Sequence, residues 1–213
     1  MKTPMEIRYD KLGPKVVKAL HSRFFEAWYF SSEAEAVEKV FSLIPQTHVV
    51  SWGGSVTAAG LGIQKSAVER GYKVIDRDKA ANKDERTELM RQALLCDTYI
   101  AGTNAVTEDG QLVNVDGGGN RVAAMCYGPR QVILTIGMNK VVRDLDAAVL
   151  RARTIAAPAN MQRFSGIHTP CAETGSCGNC SSVDSICSFM VITRLCKPAG
   201  RIKIILIGKD LGL

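Results

Sequence analysis

Apolar positions near the start of the chain recur at helical spacing. After a polar opening of mixed pattern, Val16, Val17, Leu20, Phe24 and Phe25 form one stripe, which predicts a first helix. A second stripe, Ala36, Val37, Val40, Phe41 and Ile44, begins just after Ser31 and Ser32, either of which can cap it, and Pro45 stops it. The pattern then shortens to strands separated by glycine and asparagine turns. THVVSW is a β-rich run that meets GGSVTAAG and passes into a helix through Ile63, Ala67 and Val68, closed by Gly71. YKVID repeats the strand, a helix follows from about Asp84 to Leu95, and DTYIAGTNAVTEDGQLVNV divides into two or three strands. QVILTIGMN reads as a buried strand, and Asp144 opens a long helix over DLDAAVLRARTIAAPANMQRF. The last third holds a cysteine loop and then FMVITRL and RIKIILIG, expected as two strands joined by the turn KPAG.

Alternating strands and helices predict an α/β fold, a mostly parallel sheet flanked by helices, in a single domain over residues 1–213. Hydrophobic residues at 46% and charged residues at 23% match an average globular chain, which excludes a long disordered arm. The net charge is +6, but Lys and Arg are scattered among acids, so no basic stripe suggests nucleic acid. The positive balance suits a small anionic substrate, carboxylate or phosphate. The longest apolar run, IILI from Ile204 to Ile207, is too short to span a bilayer, and the opening residues lack a secretory h-region. A cytoplasmic protein is expected, with no membrane partner; homo-oligomerisation stays open.

Ligands of parallel sheets bind where strand C-terminal ends meet helix N-termini, so three loops stand out. In WGGSVT, Gly53 and Gly54 permit close backbone approach while Ser55 and Thr57 supply hydroxyls beside free amides, a combination suited to an anion. The alternative is a plain strand-to-helix joint with Ser55 as the cap. TNAVTEDG gathers Asn104, Thr107, Glu108 and Asp109, of which Glu108 is the candidate acid, base or nucleophile, although EDG also suits an ordinary hairpin turn. NVDGGGNR sets Asp116, three glycines, Asn120 and Arg121 together; Arg121 can grip a carboxylate or phosphate, or can pair with Asp116 or Glu108 to close the site.

The chain has seven cysteines, an odd number that cannot all pair. Four of them, Cys171, Cys177, Cys180 and Cys187, follow C-x5-C-x2-C-x6-C inside a loop of small and polar residues spanning 168–190. Four thiolates complete the shell of a zinc ion or of an iron–sulfur cluster, with a [4Fe–4S] cluster favoured, and a stapled disulfide loop is the alternative. His168 is a fallback ligand. Cys96, Cys126 and Cys196 lie in apolar runs and read as small core residues.

The run TNAVTEDGQLVNVDGGGNRVAAMCYGP, followed by VILTIGMNK, RARTIAAPANMQR, the cysteine loop and IILIGKDLGL, resembles the lactate-utilisation (LUD) domain proteins over nearly the whole chain. The resemblance implies a fold similar to the ribose-5-phosphate isomerase and CoA-transferase group. It also implies a part in oxidising lactate to pyruvate, with electrons passed through iron–sulfur centres to redox partner proteins. Larger members carry ferredoxin-like cysteine modules that this chain lacks, so its cluster candidate is internal. Two other functions remain open: an isomerase or transferase using Glu108, and a non-catalytic, zinc-stapled sensor of a phosphorylated or acyl molecule.

Overall fold

The run RIKIILIG does not end a hairpin; it lies inside a six-stranded parallel sheet. The computed structural model describes residues 1–213. Its strands are β1 (Glu26–Phe30), β2 (Val49–Trp52), β3 (Lys73–Ile75), β4 (Thr98–Ala101), β5 (Ala105–Thr107), β6 (Leu112–Asp116), β7 (Gln131–Gly137), β8 (Val141–Val142), β9 (Phe189–Thr193) and β10 (Ile202–Ile207). The α-helices are α1 (Pro4–Ser22), α2 (Glu33–Ser42), α3 (Val56–Gly60), α4 (Ile63–Glu69), α5 (Lys83–Gln92), α6 (Asn120–Cys126), α7 (Leu145–Arg151), α8 (Ala157–Met161) and α9 (Pro170–Thr174).

The main sheet runs β1-β10-β7-β4-β2-β3, with every pairing parallel. Such a sheet is buried on both faces, which is why its central strands are continuous apolar runs rather than alternating ones. In β10, Ile202, Ile204 and Leu206 join the core beneath α1, while Ile205 and Ile207 join the core beneath α2 and α4. A smaller sheet, β8-β5-β6-β9, is mixed. Its Val106 and Leu112 share the first core, and Ala105, Val113 and Val115 pack on Ala148 and Ala152 of the helix that follows.

Two local expectations are corrected. FMVITRL and RIKIILIG are not partners: β9 pairs antiparallel with β6 in the small sheet, and β10 pairs with β1 and β7. Phe24 and Phe25 do not extend the first helix. Phe24 takes a left-handed φ of 65° and Phe25 N–H returns to the carbonyl of Leu20, a turn that ends α1 and releases EAWYF as an unforeseen strand, β1. Elsewhere Ser32, Ser55 and Asp144 cap their helices as expected, and Asn82, not singled out from sequence, caps α5; each accepts an N–H from the first turn of the helix it opens.

Candidate functional site

After β2 the chain goes to β3 on one side and then to β4 on the other, so the loops leaving β2 and β4 part at a switch point, where parallel sheets leave a crevice. A pocket of about 350 Å³ opens there. Gly54 and Ser55 after β2, Arg77 after β3, Gly102, Thr103 and Asn104 after β4, and Lys140 after β7 contribute to its wall. The glycine loop brings Asp116, Asn120 and Arg121, and the helix after β8 brings Asn160 and Arg163. With Arg86, five cations face two acids, Asp78 and Asp116.

Among the residues expected from sequence, Gly54, Ser55, Asn104, Asp116, Asn120 and Arg121 are brought together here. Gly53 lies just behind, against the Arg121 stem, and Thr57 is buried with its hydroxyl accepting from Lys140 Nζ at 3.1 Å. Thr107, Glu108 and Asp109 are not part of the pocket. They form the tight β5–β6 turn, where Glu108 is exposed with its N–H bound to the Val142 carbonyl, and Asp109 pairs with Arg23 of the first helix's end. EDG is thus a turn sequence, with Asp109 tied to the end of α1, and Glu108 stands apart from the pocket.

Arg121 is corrected in another sense. Its Nε donates to Asp116 at 3.2 Å, one terminal nitrogen to Gly102 O and Asn114 Oδ1, and the other to Asn104 Oδ1 and Val115 O. A guanidinium has five donors, so none is left for a ligand. Arg121 closes the site instead of gripping its occupant, with Asp116 also accepting from Gly119 N–H. Gly119 itself sits at φ 79°, the left-handed conformation that starts α6 at little cost only for glycine.

The free donors belong to residues without a motif. Arg77 is largely buried, and its Nε makes no hydrogen bond but lies 3.9 Å from Asp78 Oδ1. Lys140 is 5% exposed, and Thr57 is the acceptor it reaches. Burial first, and then the positive neighbours Arg151 and Arg121, push the Lys140 ammonium down to about 8. Nothing in MNK signals this; a lysine just past a buried strand is the only sequence cue.

Cys171, Cys177, Cys180 and Cys187 line a second cavity of about 290 Å³, with Met161, Met190 and Arg153. Cys171 is buried, Cys180 half-buried, and Cys177 and Cys187 are exposed. Burial, and after it the other three cysteines, raise the Cys187 thiol, while Arg153 opposes them. No three His, Cys, Asp or Glu side chains gather tightly enough for one ion. His168 stands outside the cavity, its N–H on Asp184. All seven cysteines are free thiols. Cys96 and Cys196 are buried as expected, Cys96 being pushed up to about 12 by burial, whereas Cys126 is exposed.

The two cavities share Ile186 as a common wall. A side-chain carbon on Gly117 would lie 3.1 Å from the Ile186 Cα, so the glycine loop and the cysteine loop meet backbone to backbone. The helix over 145–161 serves both sides. Pro158 has no N–H for the preceding turn, and residues 152–156 relax into a wider π turn in which Ala157 N–H reaches the Ala152 carbonyl. Arg153, Ala157 and Met161 then face the sulfurs, while Ala156, Asn160 and Arg163 face the cationic pocket.

A family model described as the LUD domain matches residues 13–207. No curated protein matches the sequence. Among solved structures, a DUF162 family protein from Deinococcus radiodurans superposes with a TM-score of 0.54 at 11% identity, covering 93% of this chain and 97% of that one. At that identity the likeness is one of fold. Ribose 5 phosphate isomerase A from Neisseria gonorrhoeae superposes with a TM-score of 0.35 at 15% identity, over 53% of this chain and 54% of the isomerase. The eIF2B beta of Chaetomium thermophilum gives 0.39 at 16% identity, over 54% and 44%. No helix is long and apolar enough to cross a membrane.

Proposed function

The chain belongs to the LUD domain family, and from that membership we propose that it is a redox component binding a small organic acid, lactate or its oxidation product pyruvate, beside an iron–sulfur cluster. The observation that carries this reading is the shared wall at Ile186, which sets four thiols next to a cation-lined pocket.

Four thiolates complete the shell of either a zinc ion or an iron–sulfur cluster, and these four line one cavity; the redox role that family membership suggests favours the cluster. Cys171, Cys177, Cys180 and Cys187 would hold a [4Fe–4S] cluster, which supplies one-electron chemistry when bound. The chain's own residues provide the setting. Arg153, hydrogen-bonded to Asn179, brings positive charge beside the thiolates, and the two methionines make the lining apolar. Arg77, Lys140 and Arg163 attract the carboxylate that Arg121, being saturated, does not bind. The exposure of Cys177 and Cys187 leaves the sulfur side accessible to a redox partner protein. An isomerase mechanism through Glu108 has no support from its position in the β5–β6 turn.

Anaerobic purification tests the proposal. The expected protein is brown, contains about four irons and four acid-labile sulfides per chain, gains a paramagnetic signal on reduction, and loses all three properties in Cys180→Ser. A colourless protein carrying stoichiometric zinc would instead make the loop a structural staple and end the redox reading.

A further inference from the structure

Lys140 is a buried amine with no counter-ion. It lines the cationic pocket, yet no carboxylate lies within ion-pair distance, and the Thr57 hydroxyl accepts only one of its three N–H groups. A lysine whose sole task was to neutralise an acid would be paired, and one that merely filled space would direct its head to solvent. Beside it Arg151 is also buried, its Nε on the carbonyl of Asn139 and one terminal nitrogen on that of Asn104, and Arg121 is committed as described. The charged groups that bear on Lys140 are therefore both cations.

We propose that Lys140 is a nucleophilic amine that condenses with the carbonyl of an anionic oxo compound, a 2-oxo acid or a phosphorylated aldehyde or ketone, held in this pocket. The proposal rests on the anion-binding reading of the pocket and adds a covalent step to it. The Nζ lone pair attacks the carbonyl carbon, the two amine protons leave with the carbonyl oxygen as water, and a carbon–nitrogen double bond replaces the carbon–oxygen one. No oxidant or reductant enters. Arg77, whose Nη2 lies beside Gly54 in the pocket wall, receives the anionic end, and Thr57 orients the amine through the hydrogen bond it already accepts.

The sign of the titration favours the step. Burial and two cations lower Lys140 from 10.5 to about 8, so a substantial neutral fraction exists near neutrality, where an exposed lysine has almost none. The amine becomes more nucleophilic as pH rises through that value and gains nothing further above it.

Reductive trapping on the full chain decides the matter. The protein is incubated with cyanoborohydride and either pyruvate or pyridoxal 5′-phosphate, then digested and mapped by mass spectrometry. With at least one probe, a single adduct is expected on Lys140, forming roughly tenfold or more faster than on surface lysines at neutral pH, with a rate that levels off above the Lys140 titration. Lys140→Arg should lose that adduct. Binding of the same probes without reductant is followed in parallel by calorimetry. If they bind and Arg77→Leu abolishes binding, but Lys140 is left unmodified while surface lysines react, the amine role is overturned and the pocket reading stands. If neither probe binds or labels, both fall.

Discussion

Arg121 and Lys140 exchange the roles that their surroundings in the chain suggest. Arg121 follows three glycines and reads as a ligand grip, yet its five donors meet five acceptors, two from the loop after β4 and three from β6. Lysine cannot reproduce that planar fork. Arg121→Lys should leave Asn114 and Val115 acceptors unmet beside a buried Asp116, and cost about 3 kcal/mol of stability, readable as a fall in the urea midpoint with an unchanged slope. A variant as stable as the wild type would mean that the network is not needed. Lys140 carries no motif at all. Its importance comes from burial without an acid, and burial is invisible in the string MNK. The alternative reading of Arg121, pairing with Asp116, was available from sequence because the two residues flank one glycine turn. Its remaining partners were not, since Gly102, Asn104 and Asn114 reach it only once β4 and β6 are in place.

At the scale of elements, the decisive contact is between two loops. The glycine loop after β6 meets the cysteine loop where Gly117 faces Ile186, so closely that even a Cβ would press on the Ile186 backbone. Gly117→Val forces those backbones apart. The variant should keep its melting temperature within a few degrees but bind less iron per chain and bind pyruvate more weakly, because both cavities lose the same wall. Iron analysis and calorimetry on one preparation check this; unchanged iron and affinity would show the loops to be independent. The helix over 145–161 is a related case. Its apolar stripe and its Asp144 cap were legible, while the π turn around residues 152–156 was not, even though Pro158, its physical cause, stands in plain sight. Proline announces a disturbance without saying whether the helix breaks, kinks or widens. The β9 and β10 segments mislead for a different reason. KPAG is a good turn, but a turn sequence does not dictate that its flanking strands pair with each other.

Over the whole molecule, the strand C-terminal ends of a fully parallel sheet gather loops from β2, β3, β4 and β7 at one side, and the cations collect there. With a net charge of +6 adding to the local excess, encounter with an anion is steered. The association rate of pyruvate should fall several-fold between about 0.01 and 0.15 M salt, where the screening length shrinks from about 30 to 8 Å, with dissociation much less affected. Stopped-flow measurement at several salt concentrations checks this. A salt-independent rate would place the binding surface elsewhere.

What the sequence by itself determined are the properties that follow from local spacing: most of the helices and strands, though not β1, several of the helix caps, that the sheet is mostly parallel, and that four cysteines share one short loop. Each depends on residues within a turn or two of one another. Only the tertiary structure decided that β10 lies between β1 and β7, that Glu108 stands exposed on the β5–β6 turn outside the pocket, that Arg121 has no free donor, and that Lys140 does. These are facts about neighbours beyond the local turn, from other strands and loops, and hydrogen-bond saturation and desolvation depend on every group that packs around a side chain, not on those that flank it in the chain.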